Sequence, residues 1–231
     1  MKLLAFETAT EACSVAVFVD GDVLERFELA PRRHAELALP WAEALLAQAG
    51  VSKSQLDAIA VGRGPGAFTG VRLAVALAQG IALALDRPVV PVSTLAALAA
   101  QASGARAIAA IDARMGEVYL GAFLAVDGEP RPEGAETVVA PAQAALPQGM
   151  GWHGLGTGFA AADGALCQRF GAALAAVDAS ALPHAADVAL LGARAFARGG
   201  AIAPERLEPA YLRDNVALTL DQQQALRAGR R

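Results

Sequence analysis

Residues 2–29 read Lys2-Leu-Leu-Ala-Phe-Glu-Thr-Ala-Thr-Glu-Ala-Cys-Ser-Val-Ala-Val-Phe-Val-Asp-Gly-Asp-Val-Leu-Glu-Arg-Phe-Glu-Leu29. Two apolar runs, 2–6 and 13–19, flank a turn rich in hydroxyls and acids, Glu7 to Glu11. Asp20-Gly21 tolerates positive φ cheaply and joins the second run to an alternating third, 23–29, so the chain opens with three antiparallel strands. The order returns later. Ala107 to Ile111 is apolar, Asp112-Ala-Arg-Met-Gly116 is a polar turn, 117–126 is a strand and Asp127-Gly128 is another tight turn. This is a duplication of architecture rather than of residues. It predicts an α/β protein of two lobes, 1–102 and 103–218, followed by a polar tail, 219–231, with the composition of a disordered segment.

Working outward, apolar positions Leu37, Trp41, Leu45 and Ala38, Ala42, Ala49 predict a helix from His34 to Ala49, with a kink or restart at Pro40 and a stop at Gly50. A strand over 57–61 leads into Gly62-Arg-Gly-Pro-Gly-Ala-Phe-Thr-Gly70, which opens a helix to about Leu85. Val89 to Val92 is a strand, and Ser93 or Thr94 caps a helix ending near Gln101. Residues 127–150, rich in Pro, Gly and Glu, predict surface loops; Gly154 to Gly158 reads as a turn; helices are predicted near 160–172 and 186–198.

The 231 residues are 55% hydrophobic and 18% charged, which suits a folded core and excludes a disordered chain. A net charge of −4 argues against a protein that lives on nucleic acid, since phosphate neutralisation needs a basic surplus. Cys13 and Cys167 form no CxxC and predict buried free thiols. The acid at Glu7 comes too early for a signal peptide, and the uncharged stretch Leu73–Leu85 is too short to span a bilayer. The chain therefore reads as cytoplasmic, with no membrane partner.

Four residues could carry nucleotide chemistry. Thr8 and Thr10 in the first turn offer hydroxyls and backbone N–H groups to phosphate oxygens, or they satisfy an ordinary hairpin. Asp112 and Arg114 in the second turn would face them across a cleft. No P-loop sequence occurs. The Gly62–Gly70 turn supports two readings: anion binding at a helix N-terminus, or close backbone packing. The helix after it is apolar on every side apart from Arg72 and Gln79, so a second subunit is predicted to cover part of it. The predicted interface comprises Trp41, Leu45, Val71, Ala74, Val75, Ala78 and Ala82. His34, His153 and His184 have no helical His partner and predict hydrogen-bonded histidines rather than metal ligands.

These segments together resemble a known family. Phe6-Glu-Thr-Ala-Thr-Glu-Ala-Cys-Ser-Val-Ala16, Gly62–Arg72, Pro91-Val-Ser-Thr-Leu95, Ile111-Asp-Ala-Arg-Met-Gly-Glu-Val-Tyr119 and Tyr211-Leu-Arg213 are similar to the TsaB (YeaZ) family. The resemblance covers nearly the whole chain. It implies two RNase-H-like lobes of the actin/Hsp70/sugar-kinase (ASKHA) superfamily. It implies a subunit of the assembly that makes N6-threonylcarbamoyladenosine (t6A) at position 37 of tRNAs reading codons that begin with A. The implied partners are TsaD, a paralogue that transfers the threonylcarbamoyl group, and TsaE, an ATPase; tRNA is met indirectly, and the free protein forms a homodimer. The paralogue's metal-binding His-x-x-x-His falls here on Thr94 and Leu98, which cannot replace imidazole. Relatives carry Asp at the position of Glu7. The reading is a non-catalytic scaffold that needs no cofactor of its own, with ATP or ADP held, if at all, at the complex interface. The alternative is a stand-alone ATPase or phosphotransferase of the same fold.

Overall fold

Two sheets built to one strand order form the frame of the computed structural model, which describes residues 1–213. The remainder of the second lobe to 218 and the tail 219–231 lie outside the described residues. The first sheet comprises β1 (Lys2–Glu7), β2 (Ala12–Val19), β3 (Asp22–Leu29), β4 (Ala58–Gly62) and β5 (Val89–Val92), in the order β3-β2-β1-β4-β5. The first three pair antiparallel, and β4 and β5 extend the sheet in parallel. The second sheet contains β6 (Arg106–Arg114), β7 (Glu117–Val126), β8 (Glu129–Pro132), β10 (Trp152–Leu155) and β11 (Leu174–Asp178), ordered β11-β10-β6-β7-β8. A short β9 (Thr137–Val139) also pairs with β7. Three antiparallel strands followed by two parallel ones occur in both, so the duplication read from the sequence holds at the level of topology, and the fold is α/β with two lobes. Both Asp-Gly turns take positive φ, at Asp20 and Gly21 and at Asp127 and Gly128.

Helices cover both faces of the first sheet. Side chains alternate along β1, so Leu4 and Phe6 point to one face and Leu3 and Ala5 to the other. The Leu4/Phe6 face packs on α1 (His34–Gln48) and α2 (Phe68–Leu85). The opposite face is lined by Ala5, Ala16, Ala58 and Ala60 and receives α5 (Ala185–Ala197) at short range. A Cβ at Gly192 of α5 would stand 2.8 Å from that of Ala60. In the second lobe, α4 (Ala161–Phe170) covers Ile108, Trp152 and Phe159 on one face, and α3 (Thr94–Ala99) covers Ala107, Ala109 and Phe123 on the other.

Two helices pack across the predicted boundary between 102 and 103. α3, placed in 1–102, packs its Leu95 and Leu98 on the second sheet, and α5, placed in 103–218, packs on the first. The chain crosses over after β5 and returns after β11, because a helix belongs to the sheet face that buries its apolar row, whatever its place in sequence. Glu129 on β8 joins the lobes: it takes Arg198 of α5 at 2.7 Å and its own strand's Arg131 at 2.9 Å, which hold its carboxyl below the usual range.

Four local readings also change. β8 and β9 lie within the stretch predicted as loops; Pro130 and Pro132 hide β8 but suit an edge strand. β11 went unpredicted. α1 runs unbroken through Pro40, which is exposed, where water can take up the bond its missing N–H leaves. Cys13 is a buried free thiol as predicted, whereas Cys167 is only half-buried.

The largest correction concerns α2. Leu45, Ala74, Val75, Ala78 and Ala82, predicted to meet a partner, are buried inside this chain against the first sheet, Val71 is buried beside Gly64, and only Trp41 remains half-buried. Ala78→Glu should therefore cost several kcal/mol by burying an unpaired carboxylate. The outcome expected is loss of the cooperative thermal melt, rather than a folded monomer with a damaged interface.

Candidate functional site

A cleft of about 710 Å³ opens between the two duplicated turns. Thr10, Glu11, His34, Asp112, Arg114 and Arg213 are among the residues that line it. Thr10, Asp112 and Arg114, named from the two turns in the sequence, thus share one cleft. Thr8 is not with them: it is fully buried and its hydroxyl donates to the carbonyl of Gly70 at 2.7 Å.

The first wall is built by backbone pressed on backbone. Cβ atoms added at Gly66 and Gly70 would lie 2.4 Å from the Ala9 carbonyl oxygen and 1.9 Å from that of Thr8. One at Gly62 would overlap the Glu7 carboxyl. The amide of Ala67 donates to the Ala9 carbonyl at 2.7 Å. Of the two readings of this glycine turn, close packing accounts for these three glycines.

Glu7 lies beneath the turn, fully buried. Its Oε1 accepts from the Ala9 amide at 2.7 Å and its Oε2 from the Thr94 hydroxyl at 2.9 Å. The Thr94 oxygen in turn accepts from the Gly64 amide at 3.2 Å. Burial pushes the Glu7 carboxyl up to about 7, against these hydrogen bonds, which pull it down. Thr94 and Leu98 are both fully buried and serve the interior packing of this chain.

The polar groups facing the cleft are largely bonded to one another. His34 Nε2 lies 3.0 and 3.1 Å from the carbonyls of Thr10 and Ala12; two acceptors require that this nitrogen carry the proton. Asp112 accepts from the Arg114 amide through Oδ1 and from its guanidinium through Oδ2, both at 2.8 Å. Both carboxylate oxygens are thus engaged within the turn. Arg213 reaches over from the C-terminal segment to the Ala113 carbonyl and Glu117. Among the described residues no group of three His, Cys, Asp or Glu side chains is placed to hold a metal ion. His34 and Arg213 were missed as cleft residues. Only Tyr211-Leu-Arg213 left a trace, as a motif without an assigned place.

The second functional feature is a surface. The outer row of α2, Thr69, Ala76, Gly80, Leu83 and Ala84, is exposed, with Leu73 and Leu77 half-buried beside it. A Cβ at Gly80 would meet nothing within 4 Å, and Leu83 is 62% exposed. α2 has the length and apolar composition to cross a membrane, yet its Ala74–Ala82 row is part of this protein's core.

Comparison with known proteins agrees with this architecture. The family model for TsaD, tRNA N6-adenosine threonylcarbamoyltransferase, matches residues 27–219. The tRNA threonylcarbamoyladenosine biosynthesis protein TsaB of Escherichia coli is 42% identical over 230 residues, 94% of this chain and 96% of that protein. Its namesake from Haemophilus influenzae is 48% identical over 123 residues, 52% of each chain. YeaZ from Pseudomonas aeruginosa superposes with a TM-score of 0.86 at 47% identity, covering 91% of this chain and 99% of that one. A second Pseudomonas aeruginosa structure, described as similar to peptidase YeaZ, gives 0.86 at 46% identity, covering 92% and 99%.

The raised Glu7 pKa links folding to pH. The folded protein takes up a proton on Glu7 that the unfolded chain loses near 4.5, so this contribution to stability is full below about 4.5 and is lost as pH rises to about 7. Glu7→Gln removes the linkage. Its melting temperature should fall less than the wild type's between those two pH values, measured by thermal melts in parallel.

Proposed function

This chain belongs to the TsaB (YeaZ) family, and from that premise we propose that it is the non-catalytic scaffold of the t6A-forming assembly. Its role in tRNA threonylcarbamoyladenosine biosynthesis follows from the family. The finer reading is that it pairs with TsaD, and through that pair with TsaE, in the cytoplasm. TsaD carries the transfer chemistry, and this chain meets tRNA chiefly through the complex.

The observation that carries this reading is the outer row of α2. Ala76 and Gly80 are small enough for a partner helix to approach closely, and Leu83 offers apolar area at the end of the same row. Burying such a surface against a second helix gains roughly 25 cal/mol per Å² of apolar area removed from water. Trp41 of α1 adds a half-buried aromatic to the same side of the first sheet. When TsaD is absent, the same row serves a homodimer, since a paralogue of this chain presents a similar docking geometry.

The cleft supports the scaffold more than the enzyme. Asp112 already bonds Arg114 and its own turn through both oxygens, and Thr8 gives its hydroxyl proton to Gly70 in the interior, so a magnesium ion or a phosphate would have to share or displace these bonds. ATP or ADP, where it takes part, is held at the interface with the partner.

Two measurements decide between these readings. Ala76→Glu, on the exposed row, should leave the melting temperature nearly unchanged and lower co-purification with TsaD at least tenfold. Retention of TsaD by this variant removes the scaffold surface. Sustained ATP hydrolysis by the chain alone, abolished by Thr10→Ala or Asp112→Ala, establishes the enzyme instead.

A further inference from the structure

Adjoining the cleft, and sharing Gly66, Phe68, Tyr119 and Arg213 with it, lies a pocket of about 370 Å³ that the scaffold reading does not use. Both tyrosines of the chain, Tyr119 and Tyr211, line it together with Phe68, Arg72 and Arg213. Phe68 is 56% and Tyr211 51% exposed, although burial of an aromatic ring is among the strongest stabilising contributions a fold can make. The third exposed aromatic, Phe27, is already stacked on His184 at 4.1 Å. Phe68 and Tyr211 stand 6.3 Å apart between centroids, tilted by 32°. The Arg72 guanidinium lies 3.6 Å over the Phe68 ring, and its Nε donates to the Tyr211 hydroxyl at 2.6 Å.

This arrangement holds a planar cation in place with its charge unspent. Arg72 has no carboxylate partner among the described residues, whereas Arg213 is paired with Glu117. Aromatic faces next to a fixed guanidinium suit a ligand that is flat at one end and anionic at the other, which is the chemistry of a nucleotide. Among the described residues no Asp or Glu lines the pocket, so these offer no carboxylate to the magnesium of a nucleoside triphosphate. One base with one phosphodiester matches what is present.

Resting on the t6A reading above, we infer that this pocket receives one unstacked nucleotide of a single-stranded RNA segment. Its base stacks on the open faces of Phe68 and Tyr211, and its phosphate meets Arg72. The acidic chain thus contributes to RNA binding through stacking and a single charge rather than through a basic surface.

The test is fluorescence anisotropy of the full chain with a labelled seven-nucleotide single-stranded RNA, with unlabelled ATP and duplex RNA as competitors. Base–aromatic stacking is worth roughly 1–3 kcal/mol, so Phe68→Ala and Tyr211→Ala should each weaken binding about tenfold, with melts confirming that they fold. Phe68→Tyr keeps a ring and should bind like the wild type. Arg72→Gln should reduce the slope of log affinity against log salt by about one, which loss of packing alone would not do. Absence of RNA binding by the wild type, equal affinity in the alanine variants, or displacement by ATP as effective as by RNA overturns the inference. TsaD capture is scored separately on the same proteins. A Phe68→Ala protein that captures TsaD and binds RNA like the wild type removes the pocket alone, whereas failure of the wild type to capture TsaD removes the scaffold reading.

Discussion

The fold turns on the contact of two backbones: the turn after β1 lies directly on the glycine loop before α2. Gly70 has no room for a Cβ because the Thr8 carbonyl occupies that space, and Thr8 answers by donating its hydroxyl to the Gly70 carbonyl. Gly66 stands in the same relation to Ala9. This contact closes the first wall of the cleft and fixes where α2 begins. It also buries Glu7, whose two oxygens then tie the turn to Thr94 at the start of α3. Through α3, which packs on the second sheet, the same few residues reach the other lobe.

Much of this was legible in the sequence, and the parts that were not fail for definable reasons. The strand-turn-strand order with its Asp-Gly turns is a local signal, and both copies appear where residues 2–29 and 107–128 predict them. Which sheet a helix joins is not local. Leu95 and Leu98 look the same in sequence whether they face the first sheet or the second, and only the crossover of the chain decides. β8 was concealed by Pro130 and Pro132, which depress strand propensity without preventing an edge position.

The candidate site divides in the same way. Thr10, Asp112 and Arg114 share the cleft because the duplicated turns face each other, which the repeat implies. Thr8 belongs to the interior because its hydroxyl donates to the Gly70 carbonyl on the glycine loop packed against it. Asp112 shows how a turn of this fold can keep its acid while using it up. The bulge between Asp112 and Arg114, with positive φ at Arg114 and Met115, brings the Arg114 amide and guanidinium back onto one carboxylate. A carboxylate bonded within its own turn helps to shape that turn, and a ligand reaching it would share or exchange those partners.

α2 poses the problem that periodicity cannot solve. A helix apolar on every side gives no hydrophobic preference for which row turns inward, so its rotation must be set by other means. Arg72 and Gln79 set it. Arg72 and Gln79 are seven positions apart and fall on one stripe of a 3.6-residue helix. Arg72 donates to Tyr211, and the Gln79 amide donates to the carbonyls of Pro204 and Leu207 at 3.0 and 3.1 Å. The returning C-terminal segment therefore runs along that flank. With the flank held and the N-terminal end locked at Gly70, Ala74, Val75, Ala78 and Ala82 must face the sheet, and Ala76, Gly80 and Leu83 must face outward. The row named in the predicted interface is the one that turns inward. The information that separates the two rows lies in a pair of polar side chains whose partners are more than 120 residues away in sequence.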